Sequence, residues 1–311
     1  MKQLLNNLYI KSWKRFNSYK LHKLETFDLN ITFDDLFTSS DKRSTDFLLG
    51  FYSRLGIEYA LKRHNIFKIL NTLGFHNLKL VTDFENPFKQ RVAVYSEKIL
   101  PEYLLGELVT QKKGLDIQSI STEIKIDDHM NFISLEWLCL QHPLMDFSKD
   151  KPRLPGQSFP GLGLGKYILT ILYLMNWQLG LNGLINIPEY YHNAAMYSKK
   201  FKFIDPHRQG LLKILKSDLQ NTFGMATLSW AIDRGFVFLN GEPFKWFTSP
   251  QIIPSNQKLK LYFSSENYIR ISNETYLNNK IDLDLEGFIN SLEELSIPGY
   301  SEFFLPILKT E

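Results

Sequence analysis

Three glycines at alternate positions, Gly161, Gly163 and Gly165, run through Pro160-Gly161-Leu162-Gly163-Leu164-Gly165-Lys166 into the apolar stretch Tyr167–Met175. Positions without side chains let backbone N–H groups come close to a ligand. The first turn of a helix offers N–H groups with no intrahelical partner and a dipole that favours negative charge. A glycine loop that opens a helix is therefore suited to hold phosphate. Two common phosphate motifs do not fit. The P-loop needs Gly where Pro160 stands and a hydroxyl residue where Tyr167 stands. The dinucleotide fingerprint needs Gly at 166 or 168, which are Lys166 and Ile168.

Further chemistry-bearing residues flank the loop. Glu136 interrupts the apolar run Phe132–Gln141, and a buried carboxylate is costly unless paired or functional. His142 and Asp146 follow at the end of that run. Glu136 and His142 are thus candidates for proton transfer. Asn193 and Tyr197 stand four apart in Tyr190–Phe203, on one face of a helix. No His, Cys and Asp cluster has metal-ligand spacing, and no G-x-S-x-G signature is present.

Around these residues the chain reads as strand (132–141), glycine loop, helix (167–175), strand (184–187) and a helix carrying Asn-x-Ala-x-x-Tyr-x-Lys. In that order and with those residues it resembles the GNAT superfamily of N-acetyltransferases, over roughly residues 130–205. The resemblance implies that the amides of Gly161, Leu162, Gly163, Leu164, Gly165 and Lys166 hold the pyrophosphate of coenzyme A. It implies that Asn193 reaches the pantetheine arm and that Tyr197 is the general acid. Acetyl-CoA or another acyl-CoA would be the co-substrate, and a small-molecule or peptide amine the acceptor. Pro160 stands where the family has Arg or Gln, and Phe201 where it has Gly. Two alternatives follow: a non-catalytic member of the fold that binds coenzyme A or a protein, and an acyltransferase that takes its acyl group from a carrier-protein thioester.

The elements expected to position the site give an α+β fold, with a mixed, mostly antiparallel sheet flanked by helices. Residues 1–75 read as a helical extension, 76–209 as the acyl-CoA-binding core and 210–311 as an α+β segment packed on it. Helices are expected at 4–16 and over 47–73 with a break at His64-Asn65, and Gly74 fits a helix C-terminus. Strands are expected at 78–81, 91–95, 103–109 and 132–141, the last buried on both faces. Turns are expected at Asn86-Pro87 and Lys112-Lys113-Gly114, and Pro206 is expected to end an element. Helices follow at 208–219 and 225–233, then a hairpin at Asn240-Gly241. Strands at 258–263 and 268–271 and a helix at 282–295 complete the reading.

Bulk composition narrows the classes. With 311 residues and 44% hydrophobic content, the chain can bury a large core. A net charge of +3 from scattered lysines and arginines argues against nucleic acid. The single cysteine, Cys139, excludes an internal disulfide and lies in an apolar run, which suggests an inert thiol. No apolar run approaches the ~20 residues of a membrane helix, and no signal peptide is apparent, so a cytoplasmic protein is expected.

Overall fold

The computed structural model describes residues 46–116 and 129–293. The helix expected at 4–16 lies outside them. Two short helices come first, α1 (Arg54–Arg63) and α2 (Ile66–Thr72). The Ser53 hydroxyl accepts from the Gly56 N–H and caps α1. The two are separated at His64-Asn65, where Asn65 adopts φ 60°, and Gly74 at φ 90° ends α2. Residues 47–52 form a tight turn instead of helix, with Leu48 paired to Tyr52.

Four antiparallel strands follow: β1 (Lys79–Asp83), β2 (Gln90–Tyr95), β3 (Leu104–Asp116) and β4 (His129–Leu140). The turn expected at Lys112–Gly114 does not occur. β3 continues through it, paired with Ile133, Phe132 and Asn131 of β4, and Gly114 leaves room for the His129 ring. Then come α3 (Gly165–Gln178), β5 (Gly183–Asn186), α4 (Tyr191–Tyr197) and β6 (Lys202–Phe203). Pro206 opens α5 (Pro206–Ile214) and does not end an element. It sits at the first helical position, where a missing N–H is harmless, and Asp205 accepts from the His207 N–H. A π-helical stretch, Leu215–Gln220, carries the chain on to α6 (Met225–Arg234).

The hairpin β7 (Val237–Leu239) to β8 (Glu242–Pro243) turns at Asn240 (φ 54°) and Gly241 (φ 86°), the two positive angles of a type I′ turn. Beyond it the structure departs from the sequence reading. Residues 251–254 form β9 (Gln251–Pro254), and the two expected strands are helices α7 (Gln257–Ser264) and α8 (Glu266–Asn278). β10 (Ile281–Leu283) precedes α9 (Leu285–Glu293), whose first turn is capped by Asp284 accepting from the Gly287 N–H.

The fold is α+β. A seven-stranded sheet has the order β1-β2-β3-β4-β5-β9-β6, antiparallel except where β4 runs parallel to β5. A small sheet, β10-β7-β8, stands apart from it. β9 inserts between β5 and β6, so residues on both sides of position 209/210 share one sheet. Ile133 and Leu184 face a cluster formed with α1, α2 and α3, while Phe132, Ile185 and Ile252 face α7 and α8. The centre of the sheet is thus buried on both faces, as expected, although β4 becomes exposed at Glu136 and Trp137. A third cluster joins α4 to α5, α6, α9 and the small sheet, and the Trp230 indole N–H donates to the Arg153 carbonyl at 2.8 Å. Among the described residues, no helix is long and apolar enough to cross a membrane.

Candidate functional site

The glycine loop is built by alternation. Leu162 and Leu164 are buried in the cluster with α1–α3, whereas Gly163 is exposed and Gly161 and Gly165 are half-buried. The leucines anchor the loop and leave the glycine backbone facing outward. Two bonds fix it to the end of β4: the Leu162 N–H donates to the Leu140 carbonyl at 3.2 Å, and the His142 N–H to the Pro160 carbonyl at 2.8 Å. Gly163 adopts φ 73°, and no atom lies within 4 Å of the place a Cβ would occupy. The helix begins without a side-chain cap and without acidic residues in its first turn. Among the described residues, no acceptor meets the N–H groups of Gly163, Leu164, Gly165 and Lys166. Four free donors at a helix N-terminus are suited to an anion. Lys166 is exposed and lies over the Tyr167 ring, 4.9 Å from its centroid.

Tyr197 comes from α4 and reaches this helix start. Its hydroxyl lies 2.9 Å from where a Cβ on Gly165 would be, so glycine at 165 makes room for it. Burial raises the Tyr197 pKa and keeps the hydroxyl protonated. Among the described residues, nothing hydrogen-bonds to that hydroxyl. Asn193, one turn earlier on the same helix, is half-buried.

Below the loop the outer edge of β4 is unpaired. β4 and β5 are paired only from Ile133–Leu184 to Leu135–Asn186. Beyond that point β5 ends and β4 continues to Leu140, bonded to β3 on one side only, until Gly161 pairs with Gln141. Glu136 is the extra residue of a β-bulge, since Leu135 faces Thr110 and Trp137 faces Val109. The outer edge of β4 is therefore unpaired over residues 136–139, up to the glycine loop.

The two expected bases each have a neighbour of their own. Glu136 is exposed and accepts from the Gln111 side-chain amide at 2.8 Å, so its carboxylate is solvated and partnered, contrary to the expectation of a buried acid. The bulge explains this: one added residue breaks the in–out alternation and turns Glu136 outward. His142 is buried, but its ring packs edge-on against Phe75, with centroids 4.8 Å apart. Asp146 is exposed. Cys139 is half-buried; desolvation and the nearby Glu107 push its thiol up to about 11, so it is inert at neutral pH. Gln157 is occupied structurally, accepting from the Leu154 N–H at 3.2 Å.

Sequence reasoning missed a set of buried polar side chains on β5, β9 and α4. Asn186 and Gln251 face each other across β5 and β9, and the Asn186 amide oxygen and both Gln251 amide atoms lack partners among the described residues. His192 is 2% exposed and stacks on Tyr190 at 5.4 Å, and burial drives its pKa down to about 4. The one available signal was polar residues in otherwise apolar short strands. No group of acids, His and Cys among the described residues is arranged to hold a metal.

No family model, no curated protein and no solved structure matches this chain.

Proposed function

We propose that the chain is an acyl-CoA-dependent N-acyltransferase of the GNAT type. The observation that carries this reading is the seat of the Tyr197 hydroxyl against Gly165, at the helix start where four backbone donors are free. It is supported by the order of β4, glycine loop, α3, β5 and α4, and by the parting of β4 from β5 beyond Leu135 and Asn186. In this reading the loop amides and the α3 dipole hold the pyrophosphate. The pantetheine arm descends along the free edge of β4, with Asn193 beside it.

The acceptor amine then attacks the thioester carbonyl carbon. A C–N bond forms and the C–S bond breaks. The amine gives up a proton, and the departing thiolate takes one from the Tyr197 hydroxyl. That hydroxyl is suited to the task because burial holds its proton through neutral pH. With Glu136 bonded to Gln111 and His142 packed on Phe75, the amine's proton leaves through water, and water returns a proton to Tyr197. The same engagement of both candidates favours the second reading, a non-catalytic protein that binds coenzyme A. Amine-dependent release of free thiol from acyl-CoA separates the two. Release above the rate without protein is the expected result, and coenzyme A binding without release would establish the second reading.

A further inference from the structure

A cavity of about 70 Å³, part of it open to solvent, lies between the N-terminal helices, α3 and the sheet. Its walls are aliphatic: Leu61 and Leu70 from α1 and α2, Leu108 and Leu138 from β3 and β4, and Leu162 and Leu164 from the glycine loop. The one charged wall residue, Glu107, is held by the Arg91 guanidinium. Protein interiors leave few voids larger than a water molecule, so a space of this size within the largest core cluster is unusual. An apolar cavity stays dry and accepts apolar guests, and it offers a sugar, base or ammonium group nothing to bond to.

Its position is informative. Leu162 and Leu164 alternate with the glycines whose amides are free, so one loop serves both the anion site and the cavity wall. Leu138 belongs to the part of β4 whose outer edge is unpaired, along which a pantetheine arm would lie. An acyl group at the end of such an arm would lie next to the Leu138 wall of the cavity. We propose that this cavity receives a linear acyl chain several methylenes longer than acetyl, so that the co-substrate is a medium- or long-chain acyl thioester. This rests on the acyl-CoA reading for the headgroup, but the cavity's preference for alkyl chains stands on its own lining.

Titration calorimetry on the full chain tests it with free coenzyme A, acetyl-, octanoyl- and dodecanoyl-CoA, and with decanoate, which carries no phosphate. Affinity should rise about fourfold for each buried methylene until the cavity is full. Octanoyl-CoA should therefore bind at least a hundredfold more tightly than acetyl-CoA. Leu108→Phe, a change on β3 outside the glycine loop, should remove at least tenfold of that gain and leave free coenzyme A affinity unchanged. Leu61→Phe repeats the test from α1 if Leu108→Phe folds poorly. Equal affinities for acetyl- and octanoyl-CoA in the wild type would overturn the cavity assignment even if coenzyme A binds. Decanoate binding weakened by either variant, with no coenzyme A binding, would support the cavity and refute the phosphate site.

Discussion

Gly165→Ala isolates the placement of one hydroxyl. A Cβ at Gly165 would stand 2.9 Å from the Tyr197 hydroxyl oxygen, and ordinary van der Waals contact begins at 3.4 Å. The hydroxyl must therefore withdraw by about 0.5 Å, the difference between those distances. It is the end of a flexible side chain, so the overlap is relieved without moving backbone. Alanine also favours helix over glycine by up to about 1 kcal/mol, so stability should change by less than about 1 kcal/mol. A misplacement of ~1 Å can cost about a hundredfold in rate, so ~0.5 Å should cost about tenfold in kcat. Tyr197→Phe keeps the ring and removes the proton donor, and should cost about 10²–10⁴-fold. Neither change should greatly alter coenzyme A affinity. Thiol release from acyl-CoA, measured with a pool of amine acceptors, gives the rates; urea unfolding gives the stabilities. Undiminished turnover in Tyr197→Phe would remove Tyr197 from the chemistry. A full loss in Tyr197→Phe with no loss in Gly165→Ala would show that the Gly165 contact does not set the hydroxyl position.

Three further outcomes are expected. His192 is held neutral by burial, with a pKa near 4 against an ordinary 6.5, so below 6.5 the unfolded chain takes a proton that the folded chain refuses. Stability should fall between pH 6.5 and 4, by up to about 3 kcal/mol from this residue, and His192→Gln should flatten the slope in urea titrations at the two ends of that window. Gly183→Ala would drive a Cβ into the Ile253 carbonyl oxygen across β5 and β9, costing about 2–3 kcal/mol, readable as a drop in the urea midpoint. Cys139, its thiol pushed up to about 11, should alkylate with iodoacetamide at pH 8 at least about tenfold more slowly than free cysteine, with equal rates refuting its desolvation.

The glycine loop was legible because its signal is local: Gly and Leu alternate, and the leucines alone have side chains to bury. The helix break at His64-Asn65 and the Asn240-Gly241 turn were legible for the same reason. Residues 258–271 misled because Leu259, Leu261 and Phe263 alternate as in a strand. In α7 only Leu259 and Phe263, four apart, are buried, and Leu261 is 59% exposed. The contrary signals were the caps: Asn256 accepts from the Lys258 N–H and Ser265 from the Tyr268 N–H. β9 is four residues long and ends at Pro254, too short to announce itself, and only its partners β5 and β6 make it a strand. Glu136 was misjudged because a β-bulge is a property of the pairing with β3. The cavity was invisible because it arises where helices and sheet fail to fill a shared space.

The central claim, that the glycine loop holds the pyrophosphate of coenzyme A, is tested most directly by following the backbone amides by NMR. On titration with free coenzyme A, the amide signals of Gly163, Leu164, Gly165 and Lys166 should shift saturably and together. Gly163→Val, which puts a side chain above the loop and strains its φ of 73°, should abolish those shifts while amides outside the loop keep their wild-type positions. No saturable shift at these four amides in the wild type, or the same shifts in Gly163→Val, would contradict the account.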